Sequence, residues 1–379
     1  MNSSLSTCFL LGGLLAAAGC NGATTSSLFF TTDDGGQDAY GCPASDDCAS
    51  LPDGAAASSD GEAQQGDSGV PAEQACADLA DASCTQLATC SQIGVSVDFG
   101  DLGTCLARRT LNCTNSLAAP GTGASPATTE ACVAAFSTYS CADYMNGNPP
   151  AVCRPQPGMG ATGAACAFDA QCQSAFCQIP LGAECGTCAE PLASGGSCAN
   201  LAHCPSGLYC TKNSKICTTH AQLGEGCDSD TTCGYGLTCV GTDADAGTQG
   251  SCMTSVSADG GACDHSEKTG PGCDSALNLY CTKSDTCGPY AFAASGDPCK
   301  FVDDAGTYTS CTGGSTCVAT PTTAQTGTCV GPAADGQPCD TSEDDGCVTP
   351  AECVGTVVDG GVAGQCTFAS AASCVMADD

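Results

Sequence analysis

Cysteine constrains the fold of this chain more than any other residue type. There are 38 cysteines among 379 residues, whereas Trp is absent and aromatic residues make up only 5%. With so few large apolar side chains, covalent cross-links must replace much of the apolar burial that a chain of this length needs. We therefore predict a small disulfide-rich fold: a short helical domain stapled by cysteines, followed by an array of small disulfide-bonded β-hairpin modules.

The charge balance excludes two classes of partner. The chain has 8 Lys and Arg residues against 41 Asp and Glu residues, which gives a formal net charge of −33. Nucleic-acid binding needs clustered basic side chains that neutralise phosphates. Docking on an anionic membrane surface needs them as well. We expect no nucleic acid among the partners, and no direct binding of the folded part to such a surface.

Residues 1–19 have the pattern of an export signal. The apolar stretch 9–18 is too short to cross a bilayer and suits the apolar region of a secretory signal. Small residues then precede Cys20, and this arrangement resembles a bacterial lipoprotein signal. The resemblance implies cleavage before Cys20, lipid attachment at that residue as the membrane anchor and, because Asn21 follows, sorting to the outer membrane with a periplasmic or cell-surface location. An ordinary cleaved secretory signal is the alternative.

The number of cysteines agrees with export. Removal of the signal takes away Cys8 and lipid attachment uses Cys20, which leaves an even number of cysteines for disulfides. Thiols of a cytosolic protein are kept reduced, so extensive disulfide bonding requires an oxidising compartment.

Residues 20–75 are predicted to form a disordered acidic tether. They are rich in Gly, Ser, Ala and Asp, contain no Lys or Arg, and hold one cysteine pair, Cys42 and Cys48. Such a composition cannot bury enough apolar surface to offset chain entropy. A tether of this kind would hold the folded part away from the membrane.

Residues 76–157 contain eight cysteines and show helical periodicity. From residue 76 onward, cysteine and apolar residues recur on one stripe at about 100° per residue. A second helix is expected after Asp98 or Asp101 as its cap, and a third from Pro126. We predict three short helices stapled by about four disulfides. Since eight cysteines allow on the order of a hundred connectivities, the sequence assigns no pairing.

Residues 158–379 repeat a short unit six times. In every unit a glycine stands three residues before the first of four cysteines, beginning with Gly163 and Cys166. Glycine at this place fits a tight turn with positive φ, which a residue with a Cβ resists. A unit of about 30 residues without a core needs two disulfides. Disulfide-forming cysteines in the first four units are Cys166, Cys172, Cys177, Cys198, Cys204, Cys210, Cys217, Cys227, Cys233, Cys239, Cys252, Cys263, Cys273, Cys281 and Cys287.

Two details of the repeat concern its packing and its end. Apolar or aromatic residues precede the third cysteine of the first four units, and we predict that they cover the disulfides. These residues are Phe176, Leu208, Tyr209, Leu237, Leu279 and Tyr280. The first unit has five cysteines, one more than the others, and Cys374 is left over after the sixth unit; either the spare cysteine of the first unit or Cys153 is its candidate partner.

The cysteine pattern resembles that of cysteine-rich lipoproteins of gliding soil bacteria, whose modules are similar to the Dickkopf N-terminal cysteine-rich domain. The resemblance covers residues 160–366. It implies short, disulfide-held units of the β-hairpin type. It brings no catalytic residues with it, and we expect neither catalytic residues nor a cofactor.

Metal and redox chemistry compete with this interpretation. Many cysteines could store a metal as thiolates. However, only Cys185 and Cys188 are closely spaced, and export favours disulfides, so we expect no metal site. The same two cysteines form a CGTC sequence, which lacks the strand and helix of a redox domain. The acidic runs 242–247, 302–306 and 341–346 leave weak calcium binding open.

No motif for nucleophilic or metal-assisted catalysis is present. The adjacent Arg108 and Arg109 could mark an anion site, but we expect them to be solvated partners of nearby carboxylates. His203, His220 and His265 lie in different units, with no pairing that suggests a site. The preferred interpretation is a non-enzymatic, exported lipoprotein that presents disulfide-stapled repeats on a flexible stalk to a protein or glycan partner. The alternatives are a secreted hydrolase with a site of loop carboxylates and a metal-binding protein.

Overall fold

The computed structural model describes residues 69–242, 248–300, 308–319, 326–341, 346–358 and 361–374. The predicted signal with Cys20, most of the predicted tether, and Cys42 and Cys48 lie outside the described residues. Helices form the first part of the described chain and small antiparallel sheets form the rest. This confirms the predicted fold class, a helical cysteine-stapled domain followed by disulfide-bonded hairpin modules.

Five α-helices form the helical domain in the described part of the chain. They are α1 (Ala72–Cys90), α2 (Gly94–Asp98), α3 (Leu102–Leu117), α4 (Pro126–Phe136) and α5 (Cys141–Met145). Of the two predicted caps, Asp101 is the one that caps α3, because its side chain accepts a hydrogen bond from the Thr104 backbone N–H. None of the helices in the described residues is long and apolar enough to cross a membrane.

The first helix begins earlier than the cysteine stripe indicates. It starts at Ala72, inside the stretch predicted as tether, with Pro71 at its cap position. Alanine, glutamate and glutamine are good helix formers, so the residues before Cys76 extend the helix that the stripe defines.

Four disulfides hold the helical domain together, as predicted. They are Cys76–Cys113, Cys84–Cys105, Cys90–Cys141 and Cys132–Cys153. The first two join α1 to α3, and the third joins α1 to α5. The third predicted helix ends before Cys141, which therefore starts a new helix and reaches α1. Leu87, Phe136 and Tyr144 pack between the disulfides as the apolar part of this core.

Eighteen short strands form the modules of the described chain. Module 1 has β1 (Ala165–Cys166), β2 (Cys177–Gln178) and β3 (Gly186–Cys188); module 2 has β4 (Tyr209–Cys210) and β5 (Cys217–Thr218); module 3 has β6 (Gly226–Cys227), β7 (Leu237–Val240) and β8 (Gly250–Thr254); module 4 has β9 (Leu279–Cys281) and β10 (Cys287–Pro289); module 5 has β11 (Ala291–Ala293), β12 (Pro298–Lys300), β13 (Thr309–Cys311), β14 (Thr316–Ala319) and β15 (Thr326–Val330); module 6 has β16 (Pro338–Asp340), β17 (Glu352–Val358) and β18 (Gly361–Thr367).

All six modules share one arrangement of cysteines. The third and fourth cysteines face each other across an antiparallel hairpin, as Cys177 faces Cys188 in module 1. The first cysteine bonds to the third and the second bonds to the fourth. These disulfides are 166–177 and 172–188, 198–210 and 204–217, 227–239 and 233–252, 263–281 and 273–287, 299–317 and 311–329, and 339–353 and 347–366. Both strands of each hairpin are thus fixed to the segment that precedes them.

The glycine that opens each module adopts the predicted positive φ, between 70° and 90° in all six. Its N–H donates to the carbonyl oxygen of the fourth cysteine at 2.7–2.8 Å, as Gly163 does to Cys188. An added Cβ would meet nothing within 4 Å at any of the six positions. The need for glycine is therefore purely conformational, because only the left-handed backbone brings this N–H onto the hairpin.

The modules form a closed ring. Cys185, the extra cysteine of module 1, bonds to Cys374 across a separation of 189 residues. Next to this bond, the Gly355 N–H of module 6 donates to the Gly182 carbonyl of module 1 at 2.8 Å. Leu181 packs against the disulfide cluster of module 6. The last module thus meets the first, and Cys185 is the partner of Cys374 among the two predicted candidates.

The ring is attached to the helical domain by every module. The contacts, in module order, are Gly123 N–H to Ala170 O, Gly207 N–H to Gly147 O, Tyr235 OH to Cys90 O, Gln92 N–H to Ala276 O, Gly313 N–H to Ser96 O, and the ion pair of Arg108 with Asp335. Four of these six contacts join backbone groups, so they position modules 1, 2, 4 and 5 without depending on variable side chains.

Candidate functional site

Disulfide bonding takes up every cysteine in the described residues. Seventeen disulfides leave none of them with a free thiol. Several triads of cysteine sulfurs lie within 4.8 Å of one another, for example Cys166, Cys172 and Cys188. In that triad each sulfur belongs to a disulfide, and a disulfide sulfur has no thiolate to offer a metal ion. Cys185 and Cys188 belong to two different disulfides, which gives the CGTC sequence a structural role.

A cavity of about 460 Å³ lies between the helical domain and module 2, and we call it the interdomain cavity. Leu79, Arg109 and Phe136 line it from the helices, and residues 203–209 line it from module 2. Its volume is in the usual range for small-molecule sites. This cavity is therefore built where the helical domain meets the ring.

Arg108 and Arg109 are neighbours on α3 with different surroundings. The Arg108 guanidinium pairs with Asp335 of module 6 and donates to the Thr349 carbonyl oxygen. Arg109 lines the interdomain cavity, and its Nε is buried without a hydrogen-bond partner. The expected pairing with a carboxylate holds for Arg108, although Asp335 lies in module 6 and not nearby in the chain. Arg109 is half-buried and has no carboxylate within 4.0 Å among the described residues.

Asp98 is the carboxylate whose charge acts on Arg109. Burial raises the pKa of Asp98 to about 6, and the positive charge of Arg109 opposes this only in part. Burial also lowers the pKa of Arg109, but a guanidinium stays charged at neutral pH. No ion pair within 4.0 Å joins the two side chains, which both lie in the described part of the chain. Arg109 thus brings an incompletely neutralised positive charge to a cavity of an acidic protein.

Three aromatic side chains support the helical wall of the cavity. The Tyr139 and Tyr144 rings meet edge to face with centroids 4.9 Å apart, and Phe136 contacts both. The Tyr144 hydroxyl donates to the Ser83 carbonyl oxygen at 3.1 Å, which fixes this cluster to α1. Burial raises the pKa of Tyr139, so its hydroxyl stays protonated.

The module wall contains a histidine–carboxylate pair. His203 Nε2 of module 2 lies 3.4 Å from Asp169 Oδ1 of module 1, and the Phe176 ring meets the imidazole edge to face. Burial disfavours the charged imidazole, but the hydrogen bond to Asp169 and its charge outweigh this and raise the pKa of His203. Asp169 also accepts the Cys177 N–H at 2.7 Å. The pair therefore joins two modules at the edge of the cavity.

A second histidine completes this wall. His220 stacks on the Tyr209 ring with centroids 4.4 Å apart, and its Nδ1 lies 3.1 Å from the Thr232 hydroxyl. Burial lowers the pKa of His220. The neutral imidazole is thus a flat, mostly apolar surface here.

The residues before the third cysteine divide into two groups. Phe176 and Leu279 are buried over their modules, and Leu208 and Leu237 pack against theirs, as predicted. Tyr209 and Tyr280 are not covers of their own disulfides: Tyr209 stacks on His220, and Tyr280 joins a cluster with Tyr290 and Tyr308. These tyrosines connect one module to the next.

Two histidines that the sequence did not connect lie at the same cavity. His203 and His220 lie in or beside different units, yet both line the interdomain cavity. His203 directly precedes the disulfide cysteine Cys204, and this adjacency is the signal that could have singled it out. The acidic runs considered for calcium fall mostly outside the described residues.

No protein-family model, curated protein or solved structure matches this chain.

The geometry alone therefore characterises the site. It combines the half-buried cation of Arg109 with aromatic or aliphatic walls at the junction of the helical domain with the ring. Such a set of side chains can hold and orient a ligand. Among the described cavity residues, the imidazole of His203 pairs with the Asp169 carboxylate, and the imidazole of His220 lies against the Thr232 hydroxyl.

Proposed function

We propose that this chain is an exported, non-enzymatic lipoprotein that presents a disulfide-stapled ring of modules at the cell envelope. Cleavage before Cys20 and lipid attachment at that residue anchor it in the outer membrane, on the periplasmic or cell-surface side. Residues 21–68 connect the anchor to the folded part. The partner is a protein or a glycan.

The observation that carries this proposal is the complete pairing of the described cysteines in one repeated pattern. Seventeen disulfides cannot be maintained against the thiol reductants of the cytosol, so they support export. The repeated hairpins support a binding role, because fixed disulfide scaffolds tolerate variation in the loops they carry. The disulfide bonding leaves the chain without free cysteines for metal storage among its described residues.

Localisation and mass test the anchor. The full chain is expressed in a Gram-negative bacterium beside a Cys20→Ser variant, with Cys8→Ser as the matched control. We expect the parent and Cys8→Ser to sediment with the outer membrane and to carry an acyl mass at the new N-terminus. Cys20→Ser should lack that mass and leave the membrane fraction. An unmodified, unprocessed parent chain would contradict the proposal.

Turnover and metal content test the other two parts of the proposal. The purified, oxidised chain is incubated with ester, peptide and glycoside substrates and is analysed for bound metal and free thiols. We expect no saturable turnover, no stoichiometric metal and no alkylatable thiol. Saturable hydrolysis would establish the hydrolase alternative instead, and bound metal together with free thiols would establish the metal-binding one.

A further inference from the structure

Three tyrosine rings lie together at the junction of modules 4 and 5. The whole chain has 10 Phe, 8 Tyr and no Trp, so this group is a large share of its aromatic side chains. The centroid of the Tyr290 ring lies 5.1 Å from that of Tyr280 and 5.2 Å from that of Tyr308. Phe292 follows Tyr290 two residues later, on β11. We call Tyr280, Tyr290, Phe292 and Tyr308 the aromatic face.

The strand pairing turns Phe292 away from the core of module 5. The strands β11 and β13 run parallel, with Phe292 opposite Ser310 and Ala293 opposite Cys311. Ala293 and Cys311 belong to the buried disulfide cluster of the module. Successive side chains of a strand point to opposite faces of the sheet, so Phe292 and Ser310 lie on the outer face. Phe292 is accordingly 40% exposed.

The tyrosines continue this outer face. Tyr290 stands two residues before Phe292, and Tyr308 stands two residues before Ser310. The Ala291 N–H donates to the Tyr308 carbonyl oxygen at 2.9 Å, so the parallel pairing extends to these two tyrosines. The contact between their rings agrees with this placement. All three tyrosines of the aromatic face are half-buried, which leaves part of each side chain accessible to a partner.

The accessible area of the aromatic face is too small for a protein partner. A Phe or Tyr side chain has about 200 Å² of surface. With Phe292 40% exposed and the three tyrosines half-buried, the face offers at most on the order of 300 Å². A stable protein–protein interface takes about 800 Å² from each partner. A few sugar rings, in contrast, match the area that the face offers.

The chemistry of the aromatic face suits a neutral glycan. Each tyrosine combines an apolar ring with a hydroxyl group. A sugar ring likewise combines an apolar C–H face with hydroxyl groups, so it stacks on an aromatic ring and forms hydrogen bonds at its rim. The formal net charge of −33 repels a glycan that carries carboxylate or sulfate groups.

We propose that the aromatic face binds a neutral glycan, which stacks on Phe292 and the tyrosines. The proposal rests on the binding role proposed above for the ring of modules. It decides between the two classes of partner named there in favour of the glycan, and it places the contact at the junction of modules 4 and 5.

Native electrophoresis of the purified, oxidised full chain tests this site, in gels that contain dextran, mannan or a β-1,3-glucan. Alginate is the anionic control. We expect at least one neutral polysaccharide to retard the parent protein and alginate to leave its migration unchanged. Phe292→Ala should weaken the binding about ten-fold, which corresponds to the loss of one aromatic contact. Val357→Ala is the matched control, because it truncates a 50% exposed side chain of module 6, and it should bind like the parent.

A second variant keeps the test valid if Phe292→Ala fails to fold. Tyr290→Phe keeps the ring that packs on Tyr280 and Tyr308 and removes only the hydroxyl group, and it should weaken binding about five-fold. Absence of retardation by all three neutral polysaccharides would overturn the glycan assignment and leave a protein as the partner class. Equal affinities of Phe292→Ala, Val357→Ala and the parent would overturn the site. Release of reducing ends from a polysaccharide that binds would instead refute the non-enzymatic function while keeping the glycan.

Discussion

Removal of the Cys185–Cys374 disulfide tests the closed ring and its contribution to stability. In the unfolded, oxidised chain this bond closes a loop whose shortest covalent path, through the disulfides of the modules, is about 100 residues, so the chain-entropy relation gives about 4.7 kcal/mol. A disulfide within one module closes a much shorter loop. Cys198 and Cys210 are 12 residues apart, for which the same relation gives about 3 kcal/mol. The bond that closes the ring should therefore stabilise the protein more than a bond within a module.

The assay compares two double variants. One carries Cys185→Ser and Cys374→Ser, and the matched control carries Cys198→Ser and Cys210→Ser. Unfolding of the oxidised proteins in guanidinium chloride is followed by near-ultraviolet circular dichroism of tyrosine, since the chain has no Trp. With an m-value of about 4 kcal/mol per molar, the ring variant should unfold about 1 M earlier than the parent. The control should unfold less than 1 M earlier, by about 0.7 M.

A ring variant that keeps the unfolding midpoint of the parent, while the control unfolds about 0.7 M earlier, would contradict this expectation. That result would mean that the junction of modules 1 and 6 contributes nothing to the folded state. Mass mapping of the parent provides the first check, because it must yield a peptide pair linked through Cys185 and Cys374.

Three further predictions concern single residues. Gly336→Ala should lower the free energy of unfolding by about 1–2 kcal/mol, since it forces a Cβ into a left-handed backbone. Gly346 is equally open but has no positive φ, so Gly346→Ala should not change stability measurably. Thermal unfolding of the two variants distinguishes them. Because the pKa of His203 is raised in the folded state, protonation of His203 stabilises the fold. This stabilisation is complete below the unfolded pKa near 6.5 and is lost as the pH rises through the raised pKa. His203→Gln should therefore lose more stability at pH 5.5 than at pH 8.5, and an equal loss at both would contradict this. The pKa of Asp98 is about 6 in the folded state and 3.8 in the unfolded state, so ionisation of Asp98 destabilises the fold. Asp98→Asn should therefore increase stability above pH 6 and leave it unchanged at about pH 3. An increase that is the same at both pH values would contradict this.

The local part of this structure could be predicted from the sequence because short-range rules determine it. The helices α1 and α3 follow from cysteine and leucine spacing, and α4 follows from Pro126 at its start. The opening turn of each module follows from a glycine such as Gly163 three residues before a cysteine. The first-to-third and second-to-fourth pairing did not follow. Four cysteines allow about three pairings, and the choice depends on how the hairpin folds back on the preceding segment.

The long-range part could not be predicted. Cys374 meets Cys185 only because five modules between them turn by amounts that no single module encodes. Likewise, His203 and Arg109 line one cavity because module 2 lies against the helical domain, far away in the chain. The unequal surroundings of Arg108 and Arg109 arise the same way: their position on the helix was predictable, but not the module that each faces.

The bond between Cys185 and Cys374 also determines what a protease could achieve. A single nick in any linker between the first and sixth modules would leave two pieces that are still covalently joined through this bond. No fragment would be shed until a second cut or a reductant followed. A molecule exposed to extracellular proteases would thereby survive its first cleavage in one piece, with its modules still in place on the helices.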